Sequence, residues 1–170
     1  EKKMKFYFNK IKTIDSDDFA DEIGGSNEKS EEIMKKFVYQ VQEQLKPRGL
    51  KGISDEQIED HWKLYKGYVA QVNSLREELA QLRIEGKVES LAYADRRRRY
   101  GFEFNGMVLH EFYFGNLSSK KTKLESMEFQ QMLVDTWGSY DLWASDFASA
   151  GKTRGIGWAI LCLDPTTNQL

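Results

Sequence analysis

The chain of 170 residues is long enough for one domain with a substantial core, and its 40% hydrophobic and 31% charged residues are typical of a soluble protein. Its net charge of −2 gives no general attraction to nucleic acid or to an anionic membrane, and no apolar run is long enough to span a bilayer. The chain opens without a secretory signal pattern, and the single cysteine, Cys162, excludes an internal disulfide, so we expect a cytoplasmic protein.

Residues 1–45 differ in composition from the rest of the chain, and we interpret them as an N-terminal extension. Within this region, Ser30 to Gln44 carries apolar residues at helical spacing, which predicts a helix. Pro47 and Gly49 then predict its end.

Two long helices are predicted next. Ser54 and Gln57 have the spacing of a capping box, so a helix should begin there. Apolar residues then recur at steps of three and four up to Leu82, which predicts an amphipathic helix of about seven turns ending near Gly86. A second long helix is predicted from Val88 to Tyr113. Because the link between them is short, the two helices should pack as an antiparallel hairpin, which we assign to residues 46–115.

Residues 116–170 should form a partial C-terminal α/β domain. A short helix is predicted from Leu124 to Val134, and a second helix, capped by Ser139, from there to about Ala150. The apolar run from Gly155 to Leu163 predicts a buried strand, followed by a turn over 164–168. The fold class is therefore α+β: a long antiparallel helical hairpin, then a truncated α/β region with helices and the first strand of an antiparallel sheet. A lone strand cannot satisfy its backbone groups, so partner strands are expected.

The chain has only two histidines, His61 and His110, and each lies in a predicted long helix. His61 and Tyr68 are nearly two helical turns apart, so their side chains share a face about 10 Å apart along the axis. Antiparallel packing could bring His110 to the same place if Gly106 marks a close approach of the helices. Two imidazoles are half of a metal site. Spacing alone nevertheless favours the ordinary interpretation, in which both are surface or core residues.

Four segments together resemble the iron/manganese superoxide dismutase family. Ile53 to Val69, followed by Asn73, is similar to the helix that carries the family's first metal ligand. Phe104 to Phe114 is similar to the segment with the second ligand. Trp137-Gly-Ser-Tyr140 is similar to its Phe-Gly-Ser helix, and Gly155-Ile-Gly-Trp-Ala159 to its Gly-Ser-Gly-Trp strand. The order and approximate separations match over about 46–170, and four such matches in sequence are specific.

This resemblance implies roles for individual residues. His61 and His110 match the two metal ligands, and Tyr68 matches the tyrosine at the substrate channel, which we take as the catalytic residue. Gly106 matches a position that holds glycine in some members, more often manganese enzymes, and an active-site glutamine in others. Trp158 matches an aromatic wall of the metal pocket.

The resemblance also implies an oxidoreductase with an antioxidant role, acting on the superoxide anion through one iron or manganese ion per subunit. It implies a homodimer, with Ser139 near the interface. No nucleic acid or membrane partner is implied. The run Arg96–Arg99 points around a helix rather than along one stripe, so a solvated helix face is the favoured interpretation.

Three departures from the family pattern bear on these expectations. The Asp-x-Trp-Glu-His motif that supplies the last two ligands does not occur in the chain, and two nitrogen ligands alone would hold a metal loosely. Tyr68 follows His61 by seven residues where the family has eight, so alignment from Tyr68 would place Asp60 at the ligand position; the ungapped match from Ile53 favours His61. Leu64 and Tyr65 replace histidines that often follow the first ligand.

Three functional hypotheses therefore remain open. The chain is a superoxide dismutase whose site is incomplete in this sequence, or a non-catalytic superoxide-dismutase-like scaffold or interaction protein. The third is an unrelated helical hairpin whose motifs coincide by chance. The joint presence of His61, Tyr68, His110 and Trp158 favours the first over the second, whereas the absent motif favours the second.

Overall fold

A computed structural model describes residues 38–120 and 124–170 of the chain. Over these residues the structure is mostly helical, with four α-helices and no strand. The helices are α1 (Asp55–Ile84), α2 (Leu91–Asn116), α3 (Met127–Trp137) and α4 (Tyr140–Lys152), and a short 3₁₀ helix (Glu43–Leu45) precedes them. In these ranges no helix has the combination of length and apolar character that crossing a bilayer requires. The predicted N-terminal extension lies outside the described residues up to residue 37.

The helix predicted over 30–44 is wrong for residues 38–42, which are not helical, and residues 43 and 44 belong to the 3₁₀ helix. Side chains of α1 bind this backbone instead. The Asn73 side chain accepts a hydrogen bond from the Tyr39 N–H at 3.0 Å and donates one to the Tyr39 carbonyl at 2.9 Å. Further along, the Gln42 N–H donates to the Tyr65 hydroxyl at 3.0 Å. These bonds give a non-helical segment the partners that its backbone groups need.

The chain divides into two compact units, each with its own buried side chains. Unit 1 contains, of the described residues, 38–40 and 69–104, and its buried apolar side chains come from α1: Val69, Val72, Leu75, Leu79 and Ala80. Unit 2 contains residues 41–68 and 105–170, and buries Ile58, Trp62, Tyr65, Met107, Phe114 and Leu133.

Helix α1 begins as the sequence predicts. The Gln57 N–H donates to Ser54 Oγ at 3.1 Å, and the Ser54 N–H donates to Gln57 Oε1 at 3.0 Å, which confirms the capping box. Helix α2 begins at Leu91 rather than Val88, because Gly86 adopts a left-handed backbone (φ 67°) and Ser90 Oγ caps the helix by accepting from the Tyr93 N–H.

Within unit 2, α1 and α2 lie side by side and run in opposite directions. His61 and Trp62 on α1 lie against Phe114 on α2, whereas Tyr68, two turns later, lies against Gly106 and His110. Later positions of α1 thus meet earlier positions of α2, as in antiparallel helix pairs.

Helices α3 and α4 meet at a tight corner. Ser126 caps α3 by accepting from the Phe129 N–H, and Gly138 ends α3 with a left-handed backbone (φ 83°). Ser139 then caps α4 by accepting from the Leu142 N–H at 3.1 Å, which confirms the predicted cap. Helix α3 begins three residues later than predicted because Ser126 provides the cap.

The predicted strand over 155–163 does not form in the described residues. Asp164 and Gln169 make an isolated antiparallel bridge around the turn that follows, and Ile156 and Ile160 are exposed. A strand needs a neighbouring strand for its backbone hydrogen bonds, and none is present in the described ranges. The antiparallel sheet stays a prediction.

Candidate metal centre

The two histidines lie side by side in unit 2. The ring centroids of His61 and His110 are 4.8 Å apart with an interplanar angle of 71°. His110 is 4% exposed and His61 is half-buried. Residues 49 positions apart in the sequence are therefore brought together by the pairing of α1 with α2.

A backbone carbonyl holds the His110 ring. Its Nδ1 lies 2.6 Å from the carbonyl oxygen of Gly106, one turn earlier on α2. A carbonyl oxygen can only accept, so Nδ1 carries the proton and Nε2 keeps its lone pair. Metal-binding histidines in proteins commonly donate their other ring N–H in this way, which fixes both the tautomer and the ring orientation.

Aromatic side chains surround His61. The ring centroids of Tyr113 and Phe114 lie 4.9 and 5.1 Å from that of His61, and the Trp158 ring stacks on it at 6.3 Å. Trp158 also meets His110 edge to face at 4.8 Å. Trp158 therefore contacts both imidazoles, although it comes from the segment in which no strand forms.

Burial keeps both imidazoles neutral. It lowers the pKa of His61 below the usual 6.5, and the nearby His110 lowers it further by charge repulsion. Burial also lowers the pKa of His110, against the opposing effect of its bond to the Gly106 carbonyl. Neutral imidazole is the form that can bind a metal ion, and burial favours this form in both rings.

Tyr68 and Gly106 lie next to His110. The Tyr68 ring is 5.0 Å from that of His110, and a Cβ placed on Gly106 would overlap the Tyr68 ring. The predicted site residues His61, Tyr68, Gly106, His110 and Trp158 therefore form one cluster. Ser139 is in a different position, at the start of α4.

The sequence reasoning missed a hydrogen-bonded pair beside this cluster. The fully buried Tyr65 donates its hydroxyl proton to Glu111 Oε1 at 2.8 Å, and its ring lies 6.3 Å from that of His110. Burial and the carboxylate raise the pKa of Tyr65, so its phenol stays protonated. Glu111 follows His110 directly, which was the available signal that a polar residue lies close to the imidazoles.

Two imidazoles are half of the donor set that a four-ligand metal site needs. Imidazole nitrogens suit iron and similar transition metals, and the two neutral rings with one fixed tautomer fit that role. In the described ranges, no group of three or more histidine, cysteine, aspartate or glutamate side chains is arranged to hold a metal ion. The residues present thus fit as two ligands of a larger set.

The arginine run, Arg96–Arg99, lies in unit 1. Arg96 pairs with Glu78 at 2.6 Å, Arg98 with Asp95, and Arg99 with the buried Glu103 at 2.5 Å. Three of the four cations thus have carboxylate partners on the helices, as expected for a solvated helix face.

Comparison with known proteins gives the family. The chain is 34% identical to the iron superoxide dismutase of Aquifex aeolicus over 136 residues, which cover 77% of this chain and 63% of that protein. It is 34% identical over 131 residues to the iron enzyme of Aquifex pyrophilus, covering 74% of this chain and 61% of the relative. Manganese superoxide dismutase 1 of Haloferax mediterranei is 32% identical over 104 residues, with 61% of this chain and 70% of the relative covered.

No family model matches the chain. The chain spans about three fifths of the length of the two Aquifex relatives. Identity of this level, with two thirds of one relative covered, nevertheless identifies the relationship. The chain belongs to the iron/manganese superoxide dismutase family.

Proposed function

We propose that this chain supplies two ligands, His61 and His110, to a single iron or manganese ion at which superoxide is converted to dioxygen and hydrogen peroxide. The observation that carries the proposal is the buried His110, whose Nδ1 is committed to the Gly106 carbonyl while its ring lies 4.8 Å from that of His61. The kinship to enzymes named iron and manganese superoxide dismutases supports the same chemistry.

Bound iron or manganese would supply one-electron redox chemistry, through which two superoxide anions and two protons give dioxygen and hydrogen peroxide. The protein's own residues bind the ion, exclude water and provide protons. Trp158, Tyr113 and Phe114 give the His61 side of the pair an apolar lining. Phe114 is 1% exposed and Trp158 is 38% exposed, so the lining limits access of bulk water on the Phe114 side of the pair.

We assign the proton-holding role to Tyr68. Its ring centroid lies 5.0 Å from that of His110, closer than the ring of Tyr65 at 6.3 Å. A phenol near the imidazoles can hold water and pass a proton without changing the charge of the site.

The proposal also includes ligands, an oligomeric state and domain limits that these contacts do not show. The two further ligands would come from outside these 170 residues, and the protein would act as a homodimer. The extension over 1–45, the hairpin over 46–115 and the partial α/β domain over 116–170 are the domain limits that we propose.

Metal content and superoxide turnover, measured on the same protein, test this function. Metal is removed with a chelator, iron(II) or manganese(II) is titrated in without oxygen while bound and free metal are measured at equilibrium, and superoxide turnover is followed on the same sample by pulse radiolysis. Because the chain supplies only two of the proposed ligands, we expect weak binding in the natural sequence and its loss in His110→Gln and in His61→Gln, each of which removes one imidazole.

Cys162→Ser is the matched control, since the exposed thiol of Cys162 is another metal-binding group and is not one of the proposed ligands. This variant should bind metal as tightly as the natural sequence does. Equal and measurable affinity in the natural sequence and in both histidine variants would refute the ligand assignment. A folded protein that binds no metal in the titration would instead favour the non-catalytic scaffold.

A further inference from the structure

Gly106 is the glycine of the described helices at which a side chain has no room. A Cβ added there would lie less than 3.0 Å from three carbons of the Tyr68 ring, including Cγ at 2.9 Å. At Gly67 on α1 and Gly101 on α2, an added Cβ would have no described neighbour within 4 Å. Glycine is a poor residue for a helix interior, so close approach is the feature that distinguishes position 106.

The same residue also contacts the other half of the cluster. The Gly106 carbonyl accepts the Nδ1 proton of His110 at 2.6 Å, and the rings of His110 and Tyr68 lie 5.0 Å apart. Gly106 thus lets the Tyr68 ring approach because it has no side chain, and it accepts the hydrogen bond of His110 through its backbone carbonyl.

We propose that Gly106 is a positioning residue that sets Tyr68 against His110. Its lack of a side chain lets the Tyr68 ring lie on the α2 backbone, while its carbonyl fixes the tautomer and orientation of His110. The significance of this contact for a reaction rests on the proposed function, but the contact itself does not.

The geometry predicts what a methyl group at position 106 would do. The overlap includes Cγ, the ring atom nearest the Tyr68 backbone, so rotation of the far end of the ring cannot relieve it. The whole ring has to move, or α1 and α2 have to separate locally. The carbonyl of residue 106 would remain, so His110 should keep its hydrogen bond while Tyr68 leaves its place beside the imidazole.

Gly106→Ala and Gly101→Ala form a matched pair on α2. We expect Gly106→Ala to lower the folding equilibrium constant roughly tenfold or more, because it overpacks a buried contact. Gly101→Ala should raise that constant by about threefold to fivefold, because alanine is the better helix former. Denaturant unfolding of the full chain measures both.

A double-mutant cycle isolates the contact with Tyr68. In the Tyr68→Ala background the overlapping ring is gone, so Gly106→Ala should no longer lower the folding constant. If Gly106→Ala alone fails to fold, folding of Tyr68→Ala/Gly106→Ala supports the proposal. Equal penalties in the two backgrounds, or failure of both to fold, would overturn it, because Tyr68 would not be the obstacle.

Fluorine NMR reads the position of Tyr68 directly. The chain has eight tyrosines, and in protein labelled with 3-fluorotyrosine the Tyr68 signal is the one that Tyr68→Phe removes. Gly106→Ala should shift that signal, and Gly101→Ala should not. An unshifted signal in Gly106→Ala would also contradict the proposal.

These measurements separate the present inference from the proposed function. A natural sequence that binds no metal would remove the proposed function, yet the cycle and the fluorine spectrum would still decide the role of Gly106. Conversely, the chain could bind metal and turn over superoxide while Gly106→Ala and Tyr68→Ala have additive effects on folding. The proposed function would then stand, and this inference would fail.

Discussion

The long helices α1 and α2 and the segment over 155–163 are both rich in apolar residues, but they bury them very differently. Trp62 and Tyr65 on α1 and Phe114 on α2 are at most 1% exposed, whereas Ile156 is fully exposed and Ile160 is 53% exposed. A helix satisfies its backbone hydrogen bonds internally, so it needs a neighbour only for one face. An extended segment needs a second strand before burial of its side chains becomes favourable.

Trp158 differs from its neighbours in the segment by its contacts rather than by burial. It is 38% exposed, yet its ring meets both imidazoles, whereas Ile156 and Ile160 on either side are more exposed. Burial of apolar side chains is therefore concentrated in the helices, and the segment contributes one aromatic side chain to the candidate metal centre.

The largest expected change in the free energy of unfolding comes from removing a buried side chain of the paired helices. Phe114→Ala should lower the free energy of unfolding by about 3–5 kcal/mol, because it leaves a cavity beside Trp62 and Tyr65 in unit 2. Ile156→Ala should change it by no more than about 0.5 kcal/mol, because this side chain is already in solvent. Urea titration followed by circular dichroism measures both, and similar losses in the two variants would contradict the contrast.

Removal of one hydroxyl group should have a smaller effect. Tyr65→Phe should lower the free energy of unfolding by about 1–3 kcal/mol, because the Gln42 N–H and Glu111 both lose their bond to the buried phenol. Tyr140→Phe is the matched control, since Tyr140 is exposed and its ring, not its hydroxyl, contacts Trp143. If the two substitutions have equal effects, the Tyr65 bonds contribute nothing measurable.

The sequence predicts the helices well for the same reason that they are stable. Local rules determine where α1 begins, because Ser54 and Gln57 cap it reciprocally, and the apolar period identifies its buried face from Ile58 to Leu79. The starts of α2 and α3 were each predicted three residues early, since the caps Ser90 and Ser126 were not recognised.

Long-range features are less accessible to such rules. Helical spacing did not decide whether His61 and His110 meet. Antiparallel packing of the two helices allowed it, the family resemblance favoured it, and the pairing of α1 with α2 in unit 2 brings the two rings together. The bond between Tyr65 and Glu111 and the lining by Tyr113 depend on that same pairing. The strand over 155–163 was predicted from composition, which does not reveal whether a partner strand is present.

Loss of the N-terminal cap of α1 should lower the free energy of unfolding by a smaller amount. Ser54→Ala should lower the free energy of unfolding by about 1 kcal/mol, because the N–H of Gln57 loses its acceptor at the helix start. Ser74→Ala, in the middle of the same helix on an exposed position, should be neutral or slightly stabilising because alanine favours the helix. Thermal unfolding scans measure the pair, and a loss at position 74 that matched the loss at 54 would argue against a specific cap.

The smallest expected effect concerns the charge state of the two imidazoles in metal-free protein. The pKa of His61 and that of His110 are both lowered from 6.5 by burial, so the unfolded chain binds more protons than the folded chain just below that pH. The free energy of unfolding should therefore be highest above pH 6.5 and fall as the pH decreases toward the lowered histidine pKa values. The hydrogen bond from Lys46 lowers the pKa of Glu59 below the usual 4.5, so carboxylates such as this one add their own loss of stability only at lower pH than the histidines. Urea titrations between pH 4.5 and 7.5 should show this slope in the natural sequence and a shallower one in His110→Gln, which lacks the more buried imidazole. An equal slope in the two proteins would mean that the imidazole pair is not the source of the pH dependence, and that protonation at the candidate metal centre is not linked to folding.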